Sequence, residues 1–167
     1  LIITIGRQYG SGGREIGSRL AESLGIGYYD KELIAEAARK SGLSGDMFEP
    51  NDERALGMLL HALSTGFSCR SGFSPESIFK IQSDTIKDVA SKGPWVRIGR
   101  CADYVLRDNP MCISIVITGD DTDRLARVMR RNAIDEKEAA ERIAKTDKGQ
   151  AAYHEFYTGK TWGAAPT

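Results

Sequence analysis

The sequence lacks three features that would each point to a particular class of protein. Its 23 Lys and Arg residues are balanced by 23 Asp and Glu residues, so its net charge favours neither nucleic acid nor an anionic membrane as a partner. Cys69, Cys101 and Cys112 are odd in number and show no C-x-x-C spacing, so neither a disulfide framework nor a zinc site is predicted. No apolar run is long enough to span a bilayer, and no signal-peptide pattern opens the chain. These absences favour a protein of the reducing cytoplasm, with neither nucleic acid nor membrane among its partners.

The opening stretch, LIITIGRQYGSGGREIGSRLAESL, combines a strand, a glycine-rich turn and a helix. Its apolar, β-branched start is typical of a buried strand. The turn contains Gly10, Ser11, Gly12 and Gly13. A helix then begins at Arg14 or Glu15, with an apolar face made of Ile16, Leu20 and Leu24. Backbone N–H groups in such a turn bind phosphate together with the positive end of the helix dipole. The stretch therefore predicts a phosphate-binding loop, and the alternative is a tight turn without a ligand.

This loop departs from the P-loop pattern G-x-x-x-x-G-K-[ST], in which the lysine contacts phosphate and the hydroxyl contacts Mg²⁺. If Gly12 is the second glycine of the pattern, Gly13 stands at the lysine position. If Gly13 is the second glycine, Arg14 replaces the lysine and Glu15 replaces the Ser or Thr. Arg14 is the predicted phosphate cation, because a guanidinium pairs well with phosphate oxygens. The missing hydroxyl weakens the prediction of catalysis more than the prediction of phosphate binding.

Strands and helices alternate along the rest of the chain, which predicts one α/β domain built on a parallel sheet with helices on both faces. Later strands are expected over 26–29, 95–98 and 112–118, the last as a central strand because CISIVIT is the most apolar run. Asp30 and Arg100 follow two of these strands, so both are expected at the carboxyl edge of the sheet, where ligands bind. Asp30 is either a helix N-cap or a carboxylate that faces a nucleotide or its Mg²⁺, and one residue can do both.

Helix signals account for most of the remaining chain. Helices are expected over 31–40, 55–63, 75–90 and 101–106, over 122–131, and from the capping box at 135–138 to about Lys148. The helix over 122–131 carries four arginines opposite its apolar face. We expect Arg124 to lie in solvent, and Arg127, Arg130 and Arg131 to approach bound phosphates.

Several segments together resemble the cytidylate kinase-like family, a branch of the P-loop nucleoside monophosphate kinases. The segments are ITIGRQYGSGGREIG, YYDKELI, IGRCADYVL, DRLARVMRR and RIAKTDKGQAAYHEFYTGKTWG, and they cover nearly the whole chain in order. The resemblance implies a P-loop NTPase-type three-layer sandwich formed by a single domain over 1–167. Within it, a nucleoside monophosphate (NMP)-binding region is expected at about 30–73, and about 127–162 includes a lid. A further strand is expected after Thr167.

The resemblance also implies transfer of the γ-phosphoryl group of ATP to a nucleoside monophosphate such as CMP, with Mg²⁺ accompanying the ATP. Carried over by position, the residues that hold the donor phosphates are Gly10, Ser11, Gly12, Gly13, Arg14, Glu15 and Arg127. The residues expected near the acceptor are Asp30, Arg100 and Asp147. The residues expected to act on the transferred group are Arg14, Arg100 and Arg131.

Three departures from the family pattern keep alternatives open. The loop reads GSGGRE in place of GSGKGT, YYDKELIAEA replaces LDTGAMYRA, and Gln150 stands where an arginine is expected. The alternatives are a small-molecule kinase with a different acceptor, and a nucleotide-binding regulatory protein without catalytic activity.

Overall fold

The computed structural model of this protein describes residues 1–30, 75–99 and 101–163. The chain divides into two compact units, one formed by Leu1–Tyr28 and Gly93–Thr167 and the other by Tyr29–Lys92. The helices expected over 31–40 and 55–63, most of the expected NMP-binding region and Arg100 lie outside the described residues.

Helices and strands alternate along the described chain as the sequence predicts. The elements are β1 (Ile2–Arg7), α1 (Gly13–Leu24), β2 (Gly27–Tyr29), α2 (Pro75–Ala90), β3 (Trp95–Ile98), α3 (Ala102–Val105), β4 (Cys112–Ile117), α4 (Asp121–Asn132) and α5 (Glu136–Thr158). The strands form one sheet in the order β2-β3-β1-β4. β1 pairs in parallel with both β3 and β4. The predicted α/β class with a parallel sheet is confirmed.

The two inner strands, β1 and β3, are buried on both faces. Side chains alternate between the faces of a strand, so neighbouring residues report on opposite sides of the sheet. The buried residues are Ile3, Ile5, Val96 and Ile98 on one face, and Ile2, Thr4, Trp95 and Arg97 on the other. Burial on both faces is the property of the layered α/β sandwich, which confirms the predicted P-loop NTPase-type architecture.

Among the described strands, β4 lies at the edge of the sheet, and its expected central position stays a prediction. Its one neighbour among the described strands is β1, and Ile113 and Val116 are 52% and 40% exposed. An apolar, β-branched run suits a strand, but its composition does not determine the order in which strands pair.

α1 contacts the sheet mainly through small residues, and of the apolar face predicted for it Leu20 packs against the core. Gly17 and Ala21 are buried, whereas Ile16 and Leu24 are 46% and 45% exposed. A Cβ atom on Gly17 would lie 2.6 Å from Cδ1 of Ile98, which leaves no room for a side chain. The close approach of helix and sheet therefore selects the glycine–alanine face, with Leu20 beside it and with Ile16 and Leu24 exposed.

α5 begins where the sequence predicts and ends ten residues later than expected. The Asp135 side chain accepts a hydrogen bond from the backbone N–H of Glu138 at 2.8 Å, which confirms Asp135 as the N-cap of this helix. The helix continues past Lys148 to Thr158 and ends at Gly159, whose φ of 66° fits a left-handed C-cap. Gly149 did not stop the helix, because a single glycine costs only about 1 kcal/mol in a helix interior.

The cysteines, the helices and the metal-binding side chains were each used above to predict the class of protein. Cys101 and Cys112 are free thiols, and burial raises the pKa of the Cys112 thiol above its ordinary value. Within the described ranges, no helix is long and apolar enough to cross a membrane. In the same part of the chain, no group of three or more His, Cys, Asp and Glu side chains is placed to hold a metal ion.

Candidate phosphate-binding site

The glycine loop, defined here as Gln8–Gly13, joins β1 to the first turn of α1. Gly10 and Gly12 adopt φ angles of 85° and 84°, a backbone conformation that glycine adopts without strain. Gly12 is the N-cap of α1, and no side chain caps the helix. Among the described residues, the N–H groups of Gly10, Gly12 and Gly13 have no hydrogen-bond acceptor. These donors and the positive end of α1 form a cradle suited to an anion.

The start of the loop is fixed by hydrogen bonds to the end of β4 and the turn after it. The Gln8 N–H donates to the carbonyl of Ile117 at 3.0 Å, and the Gln8 side chain accepts from the N–H of Gly119 at 3.1 Å. Within the loop, the Ser11 hydroxyl donates to the Gln8 carbonyl at 2.9 Å. The Ser11 side chain thus supports the loop conformation.

Arg124 and Asp147 bind the loop from α4 and α5. Nε of Arg124 donates to the carbonyl of Tyr9 at 2.9 Å, and the Tyr9 N–H donates to Oδ1 of Asp147 at 2.8 Å. The Arg124 guanidinium also pairs with the other Asp147 oxygen, and with Asp121 at 3.0 Å. Arg124 is 4% exposed, so the prediction that it lies in solvent is wrong. Its position four residues before the buried Val128 puts both on one helix face, which faces the loop.

α4 packs directly on the glycine loop. A Cβ atom on Gly10 would lie 2.9 Å from Cγ2 of Val128 and 3.0 Å from the carbonyl oxygen of Arg124. A side chain at position 10 would therefore force α4 away from the loop, in addition to the strain of its positive φ angle.

Arg127 lies against the glycine loop, and its predicted contact with phosphates stays a prediction. A Cβ atom on Gly12 would lie 3.2 Å from Cζ of the Arg127 guanidinium. The same guanidinium donates to Glu15 at 3.2 Å, and Glu15 also pairs with Arg19 at 2.8 Å. All three side chains are more than a third exposed, so these ion pairs are weak and readily exchanged for a ligand.

The other predicted site residues lie in different surroundings. Arg131 is exposed, with its guanidinium 5.2 Å from the centroid of the Tyr9 ring. Arg14 and Arg130 are exposed. Asp30 follows β2 and belongs to the unit Tyr29–Lys92, whereas the loop belongs to the other unit. The functions assigned to Arg14, Asp30, Arg131 and Asp147 stay predictions.

Comparisons with known proteins found a matching family and a similar solved structure. A sequence profile of the cytidylate kinase-like family matches residues 2–167. The chain belongs to the cytidylate kinase-like family. The crystal structure of an uncharacterized protein from Eubacterium ventriosum is similar, with 33% sequence identity and a TM-score of 0.72 over 98% of this chain and 81% of that one. Among curated proteins, none matches the chain significantly.

Membership of the cytidylate kinase-like family indicates a nucleotide kinase in general terms. Proteins bind Mg²⁺ through one or two carboxylates together with phosphate oxygens and water. Glu15 supplies a carboxylate in the first turn of α1, where it is paired with Arg127 and Arg19.

Sequence reasoning missed two of the side chains at the loop of this cytidylate kinase-like protein, Arg124 and Arg7. The helical spacing of Arg124 from Val128 was available as a signal. Arg7 ends β1, is half-buried, and contacts Gln150 at 3.3 Å through its guanidinium NH1 atom. The sequence signal for Arg7 was its spacing, because it lies five positions before Gly12, where the P-loop pattern has its first glycine.

Proposed function

We propose that this protein is an ATP-dependent phosphotransferase that moves the γ-phosphoryl group to a nucleoside monophosphate, with CMP as the first candidate acceptor. One observation supports this most directly. The N–H groups of Gly10, Gly12 and Gly13 have no acceptor among the described residues, and the Arg127 guanidinium lies against Gly12. A cradle of donors with a movable cation above it suits a polyphosphate better than an uncharged ligand.

In the proposed reaction, the phosphates of ATP bind the loop N–H groups, and Arg127 exchanges Glu15 for a phosphate oxygen. Arg131 and Arg14 approach the transferred group, where positive charge stabilises the transition state. Glu15 would hold an Mg²⁺ ion that arrives with ATP, and such an ion would supply further positive charge to the phosphates. Asp30 and Arg100 are proposed to hold the acceptor, with Asp147 contributing through its support of the loop at Tyr9. Holding donor and acceptor in line supplies most of the rate enhancement in this chemistry.

The experiment is a measurement of ADP formation from ATP and Mg²⁺ with each of the common nucleoside monophosphates. We expect one acceptor, CMP first among those tested, to raise ADP formation well above that with ATP alone. The matched control is the corresponding nucleoside, which lacks the accepting phosphate. The absence of stimulation by every monophosphate would contradict the proposal, and stimulation by another small molecule would assign a different acceptor.

A second candidate function is nucleotide binding without catalysis, and Glu15 favours it. If Gly13 is the second glycine of the P-loop pattern, this carboxylate stands at the position of the hydroxyl, and it holds Arg127 by an ion pair. Calorimetry separates the two functions. A regulatory protein would bind ATP equally well with and without Mg²⁺ and release no ADP, whereas a kinase would turn ATP over in the presence of its acceptor.

A further inference from the structure

We infer that Arg7 is the phosphate-binding cation of this site, in the role that lysine plays in the P-loop pattern. The inference rests on the proposed function in that the ligand is the polyphosphate of a nucleotide. It assigns a contact to a residue outside the glycine loop, at the carboxyl end of β1.

The first argument is an exchange of residue types within the pattern G-x-x-x-x-G-K. With Gly12 as its second glycine, the pattern places its first glycine at Arg7 and its lysine at Gly13. The long cationic side chain and one of the glycines have therefore changed places. Compared with the P-loop pattern, this site therefore keeps one long cationic side chain, but the side chain belongs to β1 instead of α1.

The second argument is that the Arg7 side chain fills the space that a side chain at position 13 would need. A Cβ atom on Gly13 would lie 2.6 Å from Cβ and 2.9 Å from Cγ of Arg7. Gly13 is buried, so this space is not available from the solvent side. A lysine at position 13 and an arginine at position 7 are mutually exclusive, because the stems of the two side chains would overlap.

The third argument concerns the charged end of the side chain. A Cβ atom on Gly99, at the end of β3, would lie 2.6 Å from NH1 of Arg7, so a second glycine leaves room for the guanidinium. NH1 also donates to Oε1 of Gln150 on α5 at 3.3 Å. Gln150 stands where the family pattern has an arginine. Two departures from the pattern, Gly13 and Gln150, thus meet at the Arg7 side chain.

The test measures binding of tripolyphosphate and of ATP by calorimetry in the absence of Mg²⁺. Arg7→Gln is expected to weaken both ligands roughly 10- to 100-fold, the range for loss of one or two charge-assisted hydrogen bonds. The matched control is Arg107→Gln, which removes an arginine stacked on Tyr104 and is expected to change neither affinity by more than twofold. Equal affinity of Arg7→Gln and the unchanged protein would overturn the inference.

An exchange variant tests the swap itself. Arg7→Gly is expected to bind tripolyphosphate weakly, and the double variant Arg7→Gly with Gly13→Lys is expected to recover at least tenfold of the lost affinity. If the variants do not fold, a protection experiment on the unchanged protein tests the role of Arg7. Tripolyphosphate is expected to protect Arg7 from modification by phenylglyoxal, as read by mass spectrometry, and to leave Arg107 reactive. Failure of protection at Arg7 would overturn the inference.

These outcomes separate this inference from the proposed function. If the unchanged protein binds neither ATP nor tripolyphosphate, both are wrong. If it binds them through Arg7 but no acceptor stimulates ADP formation, the proposed phosphotransfer is wrong and the role of Arg7 stands. If acceptors stimulate turnover and Arg7→Gln retains full affinity, the role of Arg7 alone is wrong.

Discussion

At the scale of single residues, the arginines around the loop perform different physical tasks despite their similar positions in sequence. Arg124 is buried and joined to Asp147 and the Tyr9 carbonyl, so it supports the loop. Arg127 is partly exposed and paired with Glu15, so a ligand can displace its partner. Exposure and the number of partners therefore distinguish a structural arginine from one available to phosphate.

Replacement of Arg124 tests its structural role. Arg124→Gln is expected to lower the free energy of unfolding by about 3 kcal/mol, because the Asp147 carboxylate loses its charged partner and the Tyr9 carbonyl loses its donor. The measurement is urea denaturation. The control is Arg130→Gln on the same helix, where an exposed arginine is expected to contribute less than about 0.5 kcal/mol. Equal effects of the two changes would contradict the assignment.

Glu15 gives a second prediction, because it competes with phosphate for Arg127. Glu15→Gln is expected to tighten ATP binding several-fold without Mg²⁺, since an exposed ion pair of this kind contributes about 0.2–1 kcal/mol. Calorimetry in the presence of a chelator measures the change. Glu22→Gln, an exposed acid on the same helix, serves as the control. Weaker ATP binding by Glu15→Gln would show that Glu15 does not restrain Arg127.

At the scale of elements, the site depends on how closely α1 and α4 approach their neighbours. Gly17 allows α1 to contact Ile5 and Ile98 of the sheet, and Gly10 allows α4 to contact the loop through Val128. Because the contacts are made by glycines, the positions of both helices are sensitive to the addition of a single methyl group.

A pair of identical substitutions tests this sensitivity. Gly17→Ala is expected to lower the free energy of unfolding by about 1 kcal/mol or more. Overpacking the core destabilises the protein by more than the higher helix propensity of alanine stabilises it. Gly149→Ala is expected to raise it by about 0.5–1 kcal/mol, because Gly149 lies within α5 with nothing within 4 Å of an added Cβ. Denaturation curves of the two variants would show opposite shifts. A stabilising effect of Gly17→Ala would contradict the close approach described here.

At the scale of the whole molecule, binding of a nucleotide phosphate at the loop is linked to folding. Loop N–H groups are positioned by β1, β4, α4 and α5 together, so the cradle exists only in the folded chain. A ligand that binds only the folded state stabilises it by mass action.

ATP is therefore expected to raise the unfolding temperature. At a concentration about 100 times its dissociation constant, the stabilisation is about 2.7 kcal/mol, equivalent to an increase of roughly 5–10 °C for a chain of this size. Differential scanning fluorimetry measures the shift, and adenosine at the same concentration is the control. An equal shift with adenosine would show that phosphates do not contribute to binding.

The sequence by itself determined the α/β class, the strands β1 and β3, the start of α5 and the position of the glycine loop. These features follow from local properties: hydrophobic periodicity, glycine conformation and capping. Tertiary structure alone decided that α1 packs through Gly17 and that Arg124 is buried. It also decided that Arg7, Gly13, Gly99 and Gln150 meet. Each of these depends on distances between residues far apart in the chain, which no local pattern contains.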